Sequence, residues 1–373
     1  MMNGGPADGR TGGRSGVSVI PRREVLRACF ALGMGGWLAA CRPRRSGPAA
    51  GSAVLGPLED RLSIYNWSDY IAPEVVPGFE REFGVRVTYD TYESSEEMVA
   101  KLLAGAVGYD LVVPTTYAVT ALRAADLLAP LAPGYLANRD QVAPLFRALA
   151  HDPDDAYTVP WQWGMTGIAW RGDLVPEPPR SWSVFLEARY RGKMTMLDDP
   201  RDVIGAFLRL RGHSINSTDP AELDTARRDA IAAKTNLRAY LSAPVKNQLI
   251  AGDVWIAQLW NGDAVQASRE EPAIRWMLPE EGGSLWIDSL AVPRSAPHPR
   301  AAHEFINYSL RPAVSAAISR VTGYGTPNQA AMELLENPVP YPSGDERARL
   351  EVAEDLGRAA QLWDETWTRI KTA

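Results

Sequence analysis

Histidine and cysteine are scarce in this chain of 373 residues, and their scarcity disfavours several kinds of enzyme. None of the four histidines shows a metal-ligand spacing such as H-E-x-x-H, and His298 and His303, separated by five positions around Pro299, are expected at the surface. A nucleophile elbow and a glycine-rich phosphate loop are also missing from the sequence. We therefore predict no enzyme, no catalytic residue, no metal and no cofactor, although Asp199 and Asp202 could in principle act as acid and base.

Hydrophobic runs long enough to span a membrane are missing from the N-terminal region. The apolar stretch at residues 28–40 is 13 residues long, whereas a membrane-spanning helix needs about 20. The stretch follows Arg22 and Arg23, and a short apolar segment after positive charges is typical of an export signal. Residues 22–27 resemble a twin-arginine signal, and general secretory export is the alternative route.

The first apolar stretch ends in the sequence Leu38-Ala39-Ala40-Cys41, which resembles a bacterial lipoprotein processing site. Cys29 would leave with the signal, so Cys41 would have no disulfide partner. We predict a signal at residues 1–41, lipidation of Cys41 and a flexible tether at residues 42–57, which are rich in Arg, Pro, Gly, Ala and Ser. The alternative is a buried N-terminal helix with an incidental cysteine.

Basic residues are fewer than acidic ones, which disfavours a nucleic-acid partner. The chain has 39 basic and 45 acidic residues, and its first 40 residues hold five arginines and two acidic residues, so the remainder carries a net charge of −9. An acidic surface repels the phosphate backbone of nucleic acids. It favours a cationic ligand, although solubility alone is another reason for such a surface.

Strand and helix signals alternate from residue 62 onwards, which predicts an α/β fold. Predicted strands at residues 62–65, 85–92 and 111–113, with helices at 73–83 and after Ser94 or Ser95, form a β-α-β-α-β order typical of a parallel sheet covered by helices. The second predicted unit has strands at 193–197, 254–259 and 285–292, and helices at 200–211, 220–234, 301–310 and 313–321.

Aromatic, hydroxyl and acidic residues recur where these strands end. Ligands of open parallel sheets bind beyond the carboxyl ends of the strands. The residues at those positions are Trp67, Ser68, Asp69 and Tyr70; Thr115, Thr116 and Tyr117; Asp198, Asp199 and Asp202; and Trp260, Asn261 and Asp263. Trp286 and Asp288 are two apart on a predicted strand and therefore project from the same face.

This combination of side chains predicts a ligand that carries amines on an apolar chain. Carboxylates form charge-assisted hydrogen bonds with ammonium groups, and the faces of Trp and Tyr attract cations by about 0.5 to 2 kcal/mol each. The rings could instead belong to the core, Asp198 or Asp199 could cap a helix, and Asp263 could form a turn. Recurrence at successive strand ends favours a binding site.

Residues 62–70 (LSIYNWSDY), 109–114 (YDLVVP), 286–290 (WIDSL) and 324–328 (YGTPN) resemble segments of the bacterial spermidine/putrescine-binding proteins of ABC import systems. The resemblance runs from about residue 62 to the C-terminus. It implies a two-lobed periplasmic binding protein fold of type II, in which each lobe is a mainly parallel sheet flanked by helices and the ligand lies in the cleft between the lobes. Lobe I would comprise residues 58–164 and 285–332, and lobe II residues 165–284 and 333–373.

The resemblance also implies roles for individual residues. The implied aromatic box consists of Trp67, Tyr70, Tyr117, Trp260, Trp286 and Tyr324. The implied amine acceptors are Asp69, Asp199, Asp202 and Asp288, with hydroxyl groups from Ser68, Thr115 and Ser242. Asp263 resembles an acid of the putrescine-preferring branch, whereas Trp286 and Tyr324 resemble the spermidine-preferring branch. The amide side chain expected near Ala353 is missing, so both ligands stay open.

The same resemblance implies that the protein captures a polyamine, closes around it by a hinge motion and delivers it to the permease subunits of an ABC importer. We expect a periplasmic or other extracytoplasmic monomer that is held to the membrane through the lipid on Cys41. One alternative is the same fold with another small cationic or polar solute. The other is a polyamine receptor that reports to a sensor.

Overall fold

The structure is a computed structural model that describes residues 54–242 and 244–373. The predicted export signal, Cys41 and residues 42–53 of the predicted tether lie outside the described residues. Among the described residues, no helix combines the length and the apolar character needed to cross a membrane.

The strands of the described residues form a single mixed sheet. They are β1 (Arg61–Trp67), β2 (Arg86–Tyr92), β3 (Leu111–Val112), β4 (Thr158–Arg171), β5 (Met194–Met196), β6 (Leu237–Tyr240), β7 (Ile256–Trp260), β8 (Ile274–Met277), β9 (Gly283–Ala291) and β10 (Leu350–Val352). Their order is β2-β1-β3-β9-β4-β7-β5-β6, with β10 beside β9 and β8 beside β4.

The α-helices of the described residues follow or precede these strands along the chain. They are α1 (Val75–Phe83), α2 (Ser95–Leu103), α3 (Thr116–Ala124), α4 (Pro200–Leu210), α5 (Pro220–Lys234), α6 (Val245–Ile250), α7 (Asn261–Glu270), α8 (Pro299–Ser309), α9 (Pro312–Thr322), α10 (Gln329–Met332), α11 (Gly344–Ala348) and α12 (Ala360–Thr372).

The β-α-β-α-β unit predicted from the sequence is confirmed. Strand β1 pairs in parallel with β2 and with β3. Helix α1 ends at Gly84, which adopts a left-handed conformation (φ 69°) that glycine tolerates without a steric penalty. Helix α2 begins after Ser94, whose side chain accepts a hydrogen bond from the backbone N–H of Glu97 and thereby caps the helix.

Strand β4 joins the two halves of the sheet and was not predicted from the sequence. Residues 158–165 pair antiparallel with β9, whereas residues from Thr166 onwards pair antiparallel with β7 and β8. All 14 residues of β4 are buried, so the strand lacks the alternation of apolar and polar residues that marks a half-exposed strand. The register shifts between Pro160 and Gln162, a bulge of the kind at which a strand tolerates proline.

Separate hydrophobic cores lie on the two sides of β4. Leu62, Phe79 and Phe305 belong to one core, together with residues of β9. Phe207 and Trp363 belong to another, which α4, α5 and α12 cover. The lobe boundaries predicted from the resemblance, at residues 164, 285 and 332, stay a prediction.

His303 is buried, so the expectation that it lies at the surface is wrong. It is 2% exposed; its Nε2 accepts a hydrogen bond of 2.9 Å from the N–H of Ala132, and its Nδ1 donates one of 2.7 Å to the carbonyl of Pro299. Burial lowers the pKa of His303, and the neutral ring satisfies both bonds. This histidine therefore stabilises the fold and does not belong to a site.

Candidate ligand-binding site

A cavity opens at the carboxyl ends of β1, β2 and β7, where Trp67, Tyr92 and Trp260 are the last strand residues. Its empty volume, with the solvent-open mouth included, is about 870 Å³. The cavity is lined by these residues that the sequence analysis singled out: Trp67, Ser68, Asp69, Tyr70, Thr115, Tyr117, Asp199, Asp202, Trp260, Asp263, Trp286, Asp288 and Tyr324.

Ser242 is the predicted site residue that does not line the cavity. Its carbonyl oxygen accepts a hydrogen bond from the N–H of Val245 at the start of α6. Several lining residues are not among the predicted site residues: Tyr92, Glu93, Ser95, Arg201, Lys246, Ser284 and Ala353. Tyr92 ends the predicted strand 85–92 and Arg201 lies between Asp199 and Asp202, so the pattern of strand ends could have included both. Lys246 lies on α6, away from any strand end, and offered no such signal.

Three aromatic side chains pack edge to face on one wall of the cavity. The ring centroids of Tyr70 and Tyr324 are 5.2 Å apart, and those of Trp286 and Tyr324 are 5.0 Å apart. Glycines make this packing possible. A Cβ on Gly262 would lie 2.2 Å from Cδ1 of Tyr324, and a Cβ on Gly164 would lie 2.4 Å from Cζ2 of Trp286.

Asp288 also lines the cavity and is buried beside Tyr70. Its carboxylate is held by the hydroxyl of Tyr70, which donates a hydrogen bond of 2.8 Å to Oδ2. Burial raises the pKa of Asp288 to about 7, against the opposing effect of the Tyr70 hydrogen bond. A carboxyl group with so high a pKa gains from any buried cation placed beside it, because the cation restores the charge that burial disfavours.

Asp199 and Asp202 form a second acidic position at the start of α4. Asp199 caps the helix by accepting a hydrogen bond of 3.0 Å from the N–H of Asp202, so it is both the predicted helix cap and part of the cavity wall. Asp202 accepts hydrogen bonds from the hydroxyl of Thr166 (2.8 Å) and from Nε1 of Trp260 (3.1 Å). Burial and the charge of Asp199 raise the pKa of Asp202 to about 7.

Asp263 and Asp69 form a third acidic position, which the protein's own Lys246 occupies. Asp263 lies in the first turn of α7, not in an isolated turn, and accepts a hydrogen bond of 3.0 Å from the hydroxyl of Tyr324. The Nζ of Lys246 is 3.2 Å from Oδ2 of Asp69 and 3.7 Å from Oδ1 of Asp263.

The charges of the cavity wall favour a cationic ligand. Acidic residues are Asp69, Glu93, Asp199, Asp202, Asp263 and Asp288, and basic residues are Arg201 and Lys246. The guanidinium of Arg201 packs 4.6 Å from the ring centroid of Trp363 and offsets part of the charge of Asp199. An excess of carboxylates beside aromatic faces favours the binding of ammonium groups joined by methylenes, because the carboxylates accept charge-assisted hydrogen bonds and the aromatic faces attract the cations. Within the described ranges, no cluster of three or more His, Cys, Asp or Glu residues could hold a metal ion.

A family model for bacterial extracellular solute-binding proteins matches residues 74–340. The chain belongs to this family. A spermidine/putrescine-binding periplasmic protein of Escherichia coli is 35% identical over 336 residues, which cover 87% of this chain and 97% of that protein. A putrescine/cadaverine-binding protein of Pseudomonas aeruginosa is 32% identical, and the match covers 84% of this chain and 94% of that protein.

Solved structures of relatives share the fold of this solute-binding protein. The lipoprotein TpPotD of Treponema pallidum superposes with a TM-score of 0.77 at 30% identity, covering 84% of this chain and all of that one. The spermidine/putrescine substrate-binding protein PotD of Streptococcus pneumoniae gives a TM-score of 0.72 at 30% identity, with 84% and 99% coverage. The predicted two-lobed periplasmic binding protein fold is thereby confirmed, with the antiparallel pairs of the sheet all involving β4 or β9.

Proposed function

We propose that this solute-binding protein captures a linear polyamine in the cavity and delivers it to the permease subunits of an ABC importer. The observation that carries the proposal is the set of six carboxylates against two basic side chains on a wall that also presents Trp286 and Tyr324. The relatives from Escherichia coli and Pseudomonas aeruginosa are named for spermidine, putrescine and cadaverine, which supports the same ligand class here.

The binding energy would come from buried contacts. Exposed ion pairs contribute about 0 to 1 kcal/mol, whereas micromolar affinity requires about 8 kcal/mol. One ammonium would lie against Asp288 and another against Asp199 and Asp202, with the methylenes against Trp286 and Tyr324. Closure of the two lobes, with β4 as part of the hinge, would remove these contacts from water and form the surface that the transporter binds.

We infer that the protein is anchored to the membrane through a lipid on Cys41 and acts as a monomer without enzymatic activity. The position of Cys41, directly after an apolar stretch that ends in Leu38-Ala39-Ala40, supports the anchor. A relative of similar structure, TpPotD, is itself named a lipoprotein. The anchor would keep the protein near its importer, so that captured ligand is released beside the permease.

Arg201 favours a second candidate, a binding protein for dibasic amino acids. Its guanidinium is on the cavity wall beside Asp199, and arginine binds carboxylates in a bidentate manner. An amino acid with a basic side chain would place its carboxylate at Arg201 and its side-chain amine at Asp288. The remaining contacts of the cavity would be the same as for a polyamine.

Isothermal titration calorimetry tests the two candidates directly. The titrated protein is the full chain with Cys41→Ser, which removes the predicted lipid. Putrescine, cadaverine, spermidine and spermine are each compared with lysine, arginine and glutamate. Saturable one-to-one binding of an amine, without binding of the amino acids, is the expected result. Binding of lysine or arginine alone favours the second candidate, and a folded protein that binds none of these solutes contradicts both.

A further inference from the structure

Lys246 places an ammonium group inside the cavity, where a ligand's ammonium would otherwise bind. It lies on α6, and its side chain is 13% exposed. Its Nζ is 3.2 Å from Oδ2 of Asp69, 3.0 Å from Oε1 of Gln266 and 3.7 Å from Oδ1 of Asp263. An ammonium group has three donors, and three oxygens from three different residues surround this one.

Two of the three residues around Lys246, Gln266 and Asp263, are themselves held by hydrogen bonds, whereas the side chain of Asp69 is 72% exposed. Gln266 donates a hydrogen bond of 2.7 Å from Nε2 to the carbonyl of Thr322, which orients its Oε1 towards Lys246. Asp263, which is 7% exposed, accepts the hydroxyl of Tyr324. A surface ion pair between two mobile side chains would lack such supports.

The other acidic positions of the cavity have no lysine beside them in the described residues. Asp288 is bonded to the neutral hydroxyl of Tyr70, and Asp202 is bonded to the neutral groups of Thr166 and Trp260. Arg201 stands near Asp199, yet its side chain donates to Asn216 and to the carbonyl of Glu354. Glu93 also lines the cavity but is exposed, so an ion pair with it would contribute little. Two acidic positions shielded from water are therefore left for ligand amines, namely Asp288 and the pair Asp199–Asp202.

We propose that Lys246 is a specificity-determining residue that fills the third amine position of the cavity and restricts the ligand to a linear diamine. A third ammonium on the ligand would have to displace Lys246 from Asp69 and Asp263 or lie beside a like charge, and either disfavours a triamine. This inference rests on the proposed polyamine function and names the class of polyamine within it.

Calorimetry with putrescine and spermidine on three lysine variants tests the inference. Lys246→Met removes the ammonium and keeps the length of the side chain, and Lys246→Gln keeps hydrogen-bond donors if the methionine variant fails to fold. Lys101→Met is the matched control, because Lys101 lies over Tyr65 and Tyr109 outside the cavity and its loss changes the net charge equally. The full chain with Cys41→Ser is the background for all three.

We expect the parent protein to bind putrescine more tightly than spermidine. The Lys246 variants should shift the ratio of the two dissociation constants towards spermidine by about tenfold or more, since like charges placed side by side weaken binding, and Lys101→Met should leave the ratio unchanged. Amine binding with the same ratio in all four proteins would overturn the role of Lys246 and leave the proposed function intact. If none of the four folded proteins binds putrescine or spermidine, the proposed function is overturned and this inference with it.

Discussion

The hydroxyl of Tyr70, which follows β1, donates a hydrogen bond of 2.8 Å to Oδ2 of Asp288 on β9, across 218 positions of sequence. The backbone carbonyl of Tyr70 accepts a second hydrogen bond, of 2.9 Å, from Nε2 of Gln162 on β4. Three separate segments therefore hold one buried carboxylate in place. A carboxylate fixed in this way meets an ammonium group without a further loss of side-chain entropy.

Asp288→Asn should weaken polyamine binding by roughly 10- to 100-fold, because a hydrogen bond to a charged group contributes about 1.5 to 3 kcal/mol. The amide has the shape of the carboxyl group, and its oxygen still accepts the hydroxyl of Tyr70, so the fold should persist. Titration calorimetry measures the affinity, and circular dichroism verifies the fold.

Asp198→Asn is the matched control for this substitution. Asp198 precedes the acidic pair of α4, does not line the cavity and forms an ion pair of 3.1 Å with Lys371 on the outside. Its replacement should change the affinity by less than about twofold. Equal affinities of Asp288→Asn and the parent protein would exclude Asp288 from the site.

Polyamine affinity should fall as the pH is lowered through about 7. Burial raises the pKa of Asp288 and of Asp202 to about 7, so below that pH both carboxyls of the free protein are largely protonated. A ligand ammonium binds the ionised carboxylate, so below pH 7 each of these carboxyls must release its proton when the ligand binds. This proton release lowers the affinity by up to about tenfold for each carboxyl and each pH unit. Titrations at pH 8, 7, 6 and 5.5, in buffers with different ionisation enthalpies, measure both the affinity and the released protons.

The contribution of Asp288 and Asp202 to the stability of the unliganded protein should change with pH in the opposite direction. Their raised pKa values mean that these two groups bind more protons in the folded than in the unfolded state between about pH 4 and 7, so their contribution to stability rises as the pH falls through this window, whereas the lowered pKa values of the buried His151 and His303 act against it. Thermal unfolding without ligand measures this trend. Asp288→Asn, which lacks one of the two groups, should flatten both the affinity profile and the stability profile, and a profile identical to that of the parent would contradict the assignment.

Gly262→Ala should destabilise the protein by about 1 to 3 kcal/mol, the usual effect of an added methyl group in a packed site. The added Cβ would lie 2.2 Å from Cδ1 of Tyr324, so the ring must move and lose its hydrogen bond with Asp263. Gly134→Ala is the control, since no atom lies within 4 Å of its added Cβ. Thermal unfolding of both variants, followed by ligand titration, should show lower stability and weaker binding for Gly262→Ala alone.

Cys41→Ser should abolish fatty-acid labelling of the protein in a bacterial host, because it removes the predicted acylation site. Cys29→Ser is the matched control, since Cys29 lies within the predicted signal and should not affect the anchor. Metabolic labelling with a fatty acid, followed by fractionation, measures the result. Labelling that persists in Cys41→Ser, or a parent protein without label, would contradict the predicted anchor.

Elements with a strong local signal were predictable from the sequence. The alternation of strand β2 and the serine that caps α2 depend on neighbours within a few positions, so short-range patterns identify both. Strand β4 carries no such signal, because it is buried along its whole length and contains Pro160. Its role depends on partners more than 80 positions away in β7 and β9, which local patterns do not report.

The sequence by itself determined the family, through the resemblance of residues 62–70, 109–114, 286–290 and 324–328 to known binding proteins. It also determined the α/β fold and the acidic and aromatic residues that follow the strands, because these features recur at positions that strand periodicity defines. Only the tertiary structure decided which charged side chains lie next to one another in the cavity. Ser242 lies outside the cavity wall, and Lys246 lies inside it beside Asp69 and Asp263. A lysine on a short helix resembles any surface lysine in the sequence. Its contact with Asp263 arises from the packing of α6 against α7. Its contact with Asp69, 177 positions away, arises from tertiary structure that the order of residues along the chain does not disclose.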